Sequence, residues 1–294
     1  MDKIEIWPGP MEGIGRREFA DAVSALKLVD RWMTPFIRLT ESVPSAGKLT
    51  DFVRPYLASG LPVTVQLMGN DPRLLGKCGS FLQTLPGVEG INLNMGCPSN
   101  RVVHNNSGGA MLKHPEKIAD FCAEVASFLK PGKLSVKLRT GFASPEDMEI
   151  FIPALSAQKC ISKIFLHYRT VKESYSPLPR QYRDERLKHA AALCRNIPLI
   201  VNGDIDSYHD AAELIRLTGA AGVMIARSWL KDPYLLLRLN GKSGILPEEG
   251  KEKFFTQLRN SGVKGGALLE MAKMMWGSSH PRFRNLIDEV NFSG

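Results

Sequence analysis

The strongest constraint on this chain is a rhythm. Eight short β-like runs, at 4–11, 31–39, 62–69, 90–96, 133–141, 162–170, 198–205 and 221–228, recur from one end of the sequence toward the other. Most are separated by stretches such as 117–130 and 210–219, in which apolar residues return every three or four positions, the pattern of a helix with one buried face. Strands alternating with helices are laid parallel and joined by right-handed crossovers. Eight such units over roughly 230 residues is the size of a closed (β/α)8 TIM barrel, an α/β fold. An open doubly wound sheet would carry a glycine-rich turn after its first strand, and PGPMEGIG (8–15) is not GxGxxG.

A barrel places its chemistry where its strands end, and the polar residues follow that rule. Met11 and Glu12 close run one, Arg38 run two, Gln66 lies late in run three, and Asn94 and Cys97 close run four. Lys137 and Arg139 lie in run five, His167 and Arg169 in run six, Asn202 and Asp204 in run seven, and Arg227 in run eight. Polar residues inside apolar strands need partners. Their gathering at one end points to a shared polar ligand. Lys137, between Val136 and Leu138, is the sharpest case, because an unpaired buried ammonium is costly.

The stretch INLNMGCPSNRVVHNNSGGAML (91–112) carries a thiol just past a strand. Its Ser107-Gly108-Gly109 is expected to open a helix whose free N–H groups face the barrel mouth. Free cysteine is often a small buried hydrophobe, but a Gly-Cys-Pro turn after a strand presents its sulfur at the mouth. With a free pKa of about 8.5 a thiol is mostly protonated at neutral pH and can act as a general acid. The five cysteines include no CxxC pair, which argues against a disulfide framework or a zinc site, so no metal is expected.

After run eight, 239–250 reads as a Gly- and Pro-rich linker, and from about Lys251 the pattern is purely helical. This divides the chain into a barrel, 1–240, and a small C-terminal helical domain, 241–294, too short to hold a core alone. The formal charge of +8 favours a phosphate-bearing partner without identifying one. No apolar run has the length of a membrane span and the N-terminus has no signal-peptide pattern, so a cytoplasmic protein is expected.

Taken together, NMGCPSNRVV…SGGAMLKHP (94–115), GPMEG (9–13), TPFIR (34–38), VQLMG (65–69), VKLRTG (136–141), HYRT (167–170), VNGDI (201–205) and VMIARS (223–228) resemble the tRNA-dihydrouridine synthase family of FMN-dependent TIM-barrel enzymes. The resemblance implies reduction of the C5–C6 bond of a uridine in tRNA by FMN and NADPH, with Cys97 as the proton donor. It implies that Pro10 and Met11 lie against the flavin ring, Gln66 at its pyrimidine edge, Lys137 beside N1–C2=O and His167 toward its ribityl or phosphate side. Asn202, Gly203, Asp204, Ala226 and Arg227 would cradle the phosphate. Asn94, Arg101, Arg169, Thr170 and Tyr175 would form the substrate side, and the tract 175–188 offers tyrosines and basic side chains that either contact RNA or form a solvated loop and helix. A monomer is expected. The chain departs from the family pattern in Thr34-Pro35-Phe36 in place of Thr-Glu-Phe, in Ala226-Arg227 in place of Gly-Arg, in lacking the tryptophan usual after the tyrosine of strand six, and in a short C-terminal helical part. The alternatives are a flavoenzyme of the dihydroorotate or dihydropyrimidine dehydrogenase kind and a barrel that binds RNA without chemistry.

Overall fold

The structure, a computed structural model, describes residues 4–291 apart from 12, 15 and 16. Glu12 therefore lies outside the described residues, as do the side chains of Asn100, Arg101 and 288–291. Nine strands form one sheet: β1 (Glu5–Pro8), β2 (Trp32–Met33), β3 (Ile37–Arg38), β4 (Val63–Met68), β5 (Val88–Met95), β6 (Leu134–Arg139), β7 (Ile161–His167), β8 (Leu199–Asn202) and β9 (Gly222–Ile225). Every paired neighbour is parallel, in the order β1-β9-β8-β7-β6-β5-β4-β2, with β3 also on β4. β1 and β2 lie side by side at the remaining seam, where Arg31 just before β2 reaches Glu5 of β1 at 3.2 Å. The eight expected runs thus become a TIM barrel.

The second run is the one that divides. Its ladder to β4 is interrupted around Pro35, and the run splits into β2 and β3. The backbone N–H of Gln66, deprived of its usual carbonyl, donates instead to the Thr34 hydroxyl at 3.1 Å.

Around the sheet run α1 (Arg17–Ala25), α2 (Ala46–Leu57), α3 (Pro72–Leu82), the single turn α4 (Asn100–Val103), α5 (Ile118–Ala126), α6 (Met148–Ser156), α7 (Arg180–Leu193), α8 (Tyr208–Thr218), α9 (Arg227–Lys231) and α10 (Leu235–Leu239). Their starts and stops follow local chemistry. Asp71 accepts the N–H groups of Arg73 and Leu74 at 2.8 and 3.1 Å, with Pro72 at the first helical position, a cap that contributes about 1 kcal/mol. Ser207 caps α8 through the N–H of Asp210 at 3.1 Å, and Gly219, at φ +64°, ends it.

One expected helix start is different. Residues Gly108–Lys113 form 3-10 turns, and the α-helix begins only at Ile118. Gly108 sits at φ +57°, outside the α region, and the Gly109 N–H is not free but donates to the Cys97 carbonyl at 3.0 Å.

The two-residue period of the strands sorts the core. Outward residues such as Val65, Leu93, Val136 and Val223 join the layer under the helices. Inward residues Trp7, Met33, Phe165, Ile200 and Met224 form a separate plug inside the barrel, with Trp7 edge-on to Phe165 at 5.0 Å between centroids. Three further helices follow, α11 (Pro247–Asn260), α12 (Gly265–Trp276) and α13 (Pro281–Asn291). α11 packs on α1, where Phe254 meets Phe19 edge-on at 5.8 Å, and α12 packs on α9. Their apolar faces enter the same core as the barrel helices. Among the described residues no helix is long and apolar enough to cross a membrane.

Candidate active site at the barrel mouth

Above the apolar plug the inward positions turn polar, and a cavity of about 830 Å³ opens at the C-terminal ends of the strands. Of the residues expected there from the sequence, Pro10, Met11, Gln66, Asn94, Cys97 and Lys137 line it. So do His167, Arg169, Tyr175, Asn202, Gly203, Asp204, Ala226 and Arg227. Arg101 falls outside the described side chains. Thr170 is not at the cavity: it is fully buried, and its N–H and hydroxyl are taken by the carboxylate and N–H of Glu173 at 2.8 and 3.2 Å. The loop's own turn consumes it.

The peptide that carries Cys97 is tied on every side. Asn94 Oδ1 accepts the N–H groups of both Gly96 and Cys97 at 3.1 Å. The Gly96 carbonyl accepts from Arg139 Nε at 2.8 Å, and the Cys97 carbonyl from Gly109. Asn94 is thus first a holder of this loop; its oxygen has no capacity left for a uracil edge. Its Nδ2 donates to Gln66 Oε1 at 3.0 Å, Gln66 Nε2 to Asn92 Oδ1 at 2.8 Å, and Asn92 Nδ2 to Ser135 Oγ at 2.9 Å. This polar chain runs across inward positions of β4, β5 and β6, and its Gln66 and Asn94 form part of the cavity floor. With Met33 Sδ also taken as an acceptor at 3.6 Å, Gln66 keeps one lone pair on Oε1 for a ligand.

Lys137 stands next to this floor and makes no hydrogen bond or ion pair among the described residues. Burial lowers its pKa to about 8, the Arg139 charge adds to that, and a Cys97 thiolate opposes it. His167 is held neutral: burial, then the charges of Arg139, Lys137, Arg169 and Arg227 push its pKa well below the ordinary value. Its Nδ1 accepts the Arg169 N–H at 3.2 Å, so the ring proton sits on Nε2. An added Cβ at Gly203 would come within 3.1 Å of that nitrogen and 2.7 Å of the Tyr168 ring. Only a glycine, here at φ +115°, lets the backbone pass so close.

At the end of β8, Asn202 Nδ2 donates to the Met224 carbonyl at 2.8 Å and locks the two strand ends together. Asp204, at φ +48°, receives Arg169 Nη2 at 2.6 Å, the Tyr168 hydroxyl at 2.7 Å and Arg227 Nη2 at 3.0 Å. Burial raises its carboxyl, but the hydrogen bonds from Arg169 and Tyr168 and the charges of both arginines outweigh that and hold it below the usual range. Arg169 Nη1 is buried with no partner among the described residues, a donor on the cavity wall awaiting an acceptor.

Tyr175 is exposed at the rim, its ring 5.4 Å from the Arg139 guanidinium carbon and 4.9 Å from that of Arg227. The basic tract that follows is largely spent on internal pairs. Arg183 is buried and fork-bonded to Asp210 at 2.9 and 3.0 Å. Arg186 grips Glu173, and Arg180 meets Asp210 and Glu213. Arg139, read from sequence only as a polar strand residue, is a central part of the site, and its position two residues after Lys137 on one strand face was the available signal. Met274 of α12 was not legible at all, yet it lines the cavity.

The dihydrouridine synthase family model matches residues 8–263. The chain belongs to this family. A tRNA-dihydrouridine(16) synthase of Cupriavidus necator is 32% identical over 241 residues, covering 79% of this chain and 72% of that protein. One of Vibrio cholerae is 31% identical over 242 residues, covering 77% and 71%. Among solved structures, a variant of NCR from Zymomonas mobilis superposes with a TM-score of 0.57 at 16% identity over 84% of this chain and 93% of that one. TcOYE with pHBA gives 0.53 at 9% identity over 84% and 89%. These two likenesses concern the fold.

Dihydrouridine synthases are flavin-dependent oxidoreductases, and the residues present fit such a group: an ammonium and a guanidinium nitrogen without partners among the described residues, on a cavity whose lining includes Gly9, Gly96 and Gly203. The alanine that replaces glycine in this synthase's Ala226-Arg227 has a counterpart. A Cβ on Gly9 would come 2.6 Å from that of Ala226, so the bare Gly9 leaves room for the Ala226 methyl. Arg227 is more than half exposed and bonded to Asp204.

Proposed function

We propose that this chain reduces a uridine of tRNA to dihydrouridine, at position 16 as in the names of its relatives, using FMN and NADPH. The observation that supports this reading most is the pairing of a fixed thiol, Cys97, with a lysine, Lys137, that has no hydrogen-bond or ion-pair partner among the described residues, in one cavity. In this reading the enzyme works as a cytoplasmic monomer.

Pro10 and Met11 would give the flavin ring an apolar wall, Gln66 Oε1 would accept from its pyrimidine edge, and Lys137 would stabilise the negative charge that reduction builds there. His167 Nε2, Gly203, and the backbone and side chain of Arg227 would hold its ribityl and phosphate end. When bound, FMN supplies to C6 of the uracil a hydride drawn from NADPH. Cys97 Sγ gives its proton to C5, which completes the saturated bond and leaves a thiolate to be reprotonated from solvent. The nearby charges of Lys137 and Arg139 stabilise that thiolate. Tyr175 and Arg169 line the side on which the base enters, and Asn94 keeps one N–H for it. Met274 brings the C-terminal helices of 241–294 to the cavity, so the element that orients the tRNA body also shapes the entrance for the extruded nucleotide.

The test is a map of dihydrouridine in tRNA from a deletion strain. Position 16 is expected to be unmodified there, restored by the wild-type gene and not by Cys97→Ser, whose purified protein remains yellow while its turnover drops at least about 100-fold. Unchanged dihydrouridine at position 16 in the deletion strain refutes the assignment.

A further inference from the structure

Two loops flank the cavity on adjoining sides: 96–98 after β5, with Cys97, and 168–175 after β7, with Tyr175 at its tip. They belong to strands separated in the sheet by β6, and Arg139, the last residue of β6, connects them. The residue is 3% exposed. Nε donates to the Gly96 carbonyl at 2.8 Å, and Nη1 donates to the carbonyls of Thr170 and Ser174 at 2.9 and 2.8 Å. Ser174, which presents the last of these oxygens, stands at φ +50°, a conformation a serine keeps only when held there. Tyr175 comes next and lies over the same guanidinium.

Three carbonyls from two loops converging on one buried cation is more than the desolvation of an arginine requires. A planar fork with five fixed donors can hold both loops at once, whereas a lysine ammonium in the same place is a single point with freely rotating donors. We propose that Arg139 is a positioning residue that couples the two loops, so that the Gly96–Cys97 peptide takes its working position only when the 170–175 loop is in place. Entry of a base against Tyr175 is then transmitted to the thiol through one side chain. The coupling is reciprocal: whatever loosens the 170–175 loop alters the accessibility of Cys97, and the path runs through Arg139.

This rests on Cys97 being the functional thiol, so the deciding measurement is made on the thiol itself, apart from turnover. The rate at which iodoacetamide alkylates Cys97 is followed by peptide mass spectrometry in the purified full-length protein. Cys78 and Cys194, pushed up to about 12 by burial, react slowly in the same samples. The loop is loosened away from the cavity with Glu173→Gln, which weakens the grip of Glu173 on Arg186 and on the Thr170 N–H.

The expected result is a change of at least threefold in the Cys97 rate in Glu173→Gln, and no such change when the same substitution is made in Arg139→Lys. A wild-type rate in Glu173→Gln overturns the proposal, as does an effect that persists undiminished in the Arg139→Lys background. If Arg139→Lys does not fold, the Glu173→Gln rate decides alone. In turnover, Arg139→Lys is expected to lower kcat about tenfold with KM for tRNA within twofold, and a raised KM at unchanged kcat would make Arg139 a substrate contact instead. Coupling seen in a protein that leaves tRNA unmodified would sink the assigned reaction and keep the coupling.

Discussion

Two lysines enter the barrel from its strands, one near each end, with opposite surroundings. Lys163, near the start of β7, reaches Glu5 of β1 with both carboxylate oxygens in hydrogen-bond range, and Arg31 shares that carboxylate at 3.2 Å. Lys137, in β6, has no such partner and lies beside a cavity and a thiol. Both are lysines in alternating strand segments. The difference teaches that a partly buried charge marks a structural tie when its counter-charge comes from the fold, and a working site when the counter-charge must come from a ligand.

The comparison breaks most visibly at the mouth. Lys137→Met is expected to slow uridine reduction at least about 100-fold, equivalent to about 2.7 kcal/mol of barrel-mouth electrostatics, while the flavin-free protein melts no lower than wild type, because an uncompensated charge has been removed. A clear loss of stability would show that Lys137 has a structural partner after all. At the other end Glu5→Gln is expected to cost about 1–2 kcal/mol in urea unfolding, since the ion pairs there are only partly buried, and to leave turnover within about twofold. A large loss of turnover would end the division of labour between the two ends.

The pH dependence of stability separates the same pair. Lys137 falls from an ordinary 10.5 to about 8 in the folded protein. Between those values the unfolded chain holds a proton the native state has released, so the flavin-free wild type gains stability with rising pH across that window and Lys137→Met does not. Glu5 has the opposite arrangement. Burial raises its pKa, but the hydrogen bond and charge of Lys163, with Trp7 and Arg31, bring it below the ordinary 4.5. Its contribution is complete above that value and is lost as pH falls through the lower folded one, an acid limb that Glu5→Gln flattens. Melting curves across pH for the three proteins check both signs. The smallest effect belongs to Ala226→Gly: because the Ala226 methyl lies against Gly9, flavin affinity measured by fluorescence titration is expected to change less than about threefold.

The barrel was legible because period two and period three to four are written into the residues themselves, and so was the rim, since strand ends inherit that pattern. Cys97, Lys137 and His167 could be named from their places in it. The roles of Asn94 and Thr170 could not, because a side chain's remaining hydrogen-bond capacity depends on which loop folds back on it: Asn94 is taken up by Gly96 and Cys97, Thr170 by Glu173. The free helix start expected at Gly108 disappeared for the same reason, its neighbour's N–H bonding the Cys97 carbonyl.

By itself, then, the sequence determined the architecture and most of the barrel residues that reach the mouth, because periodicity is a local property of the chain. Tertiary structure alone decided which of those residues are satisfied and which wait for a ligand. Partners far apart in sequence, such as Glu5 with Lys163 or Arg139 with Gly96 and Ser174, meet only after the sheet has curled, and the energy of a buried polar group depends on whether such a partner has arrived.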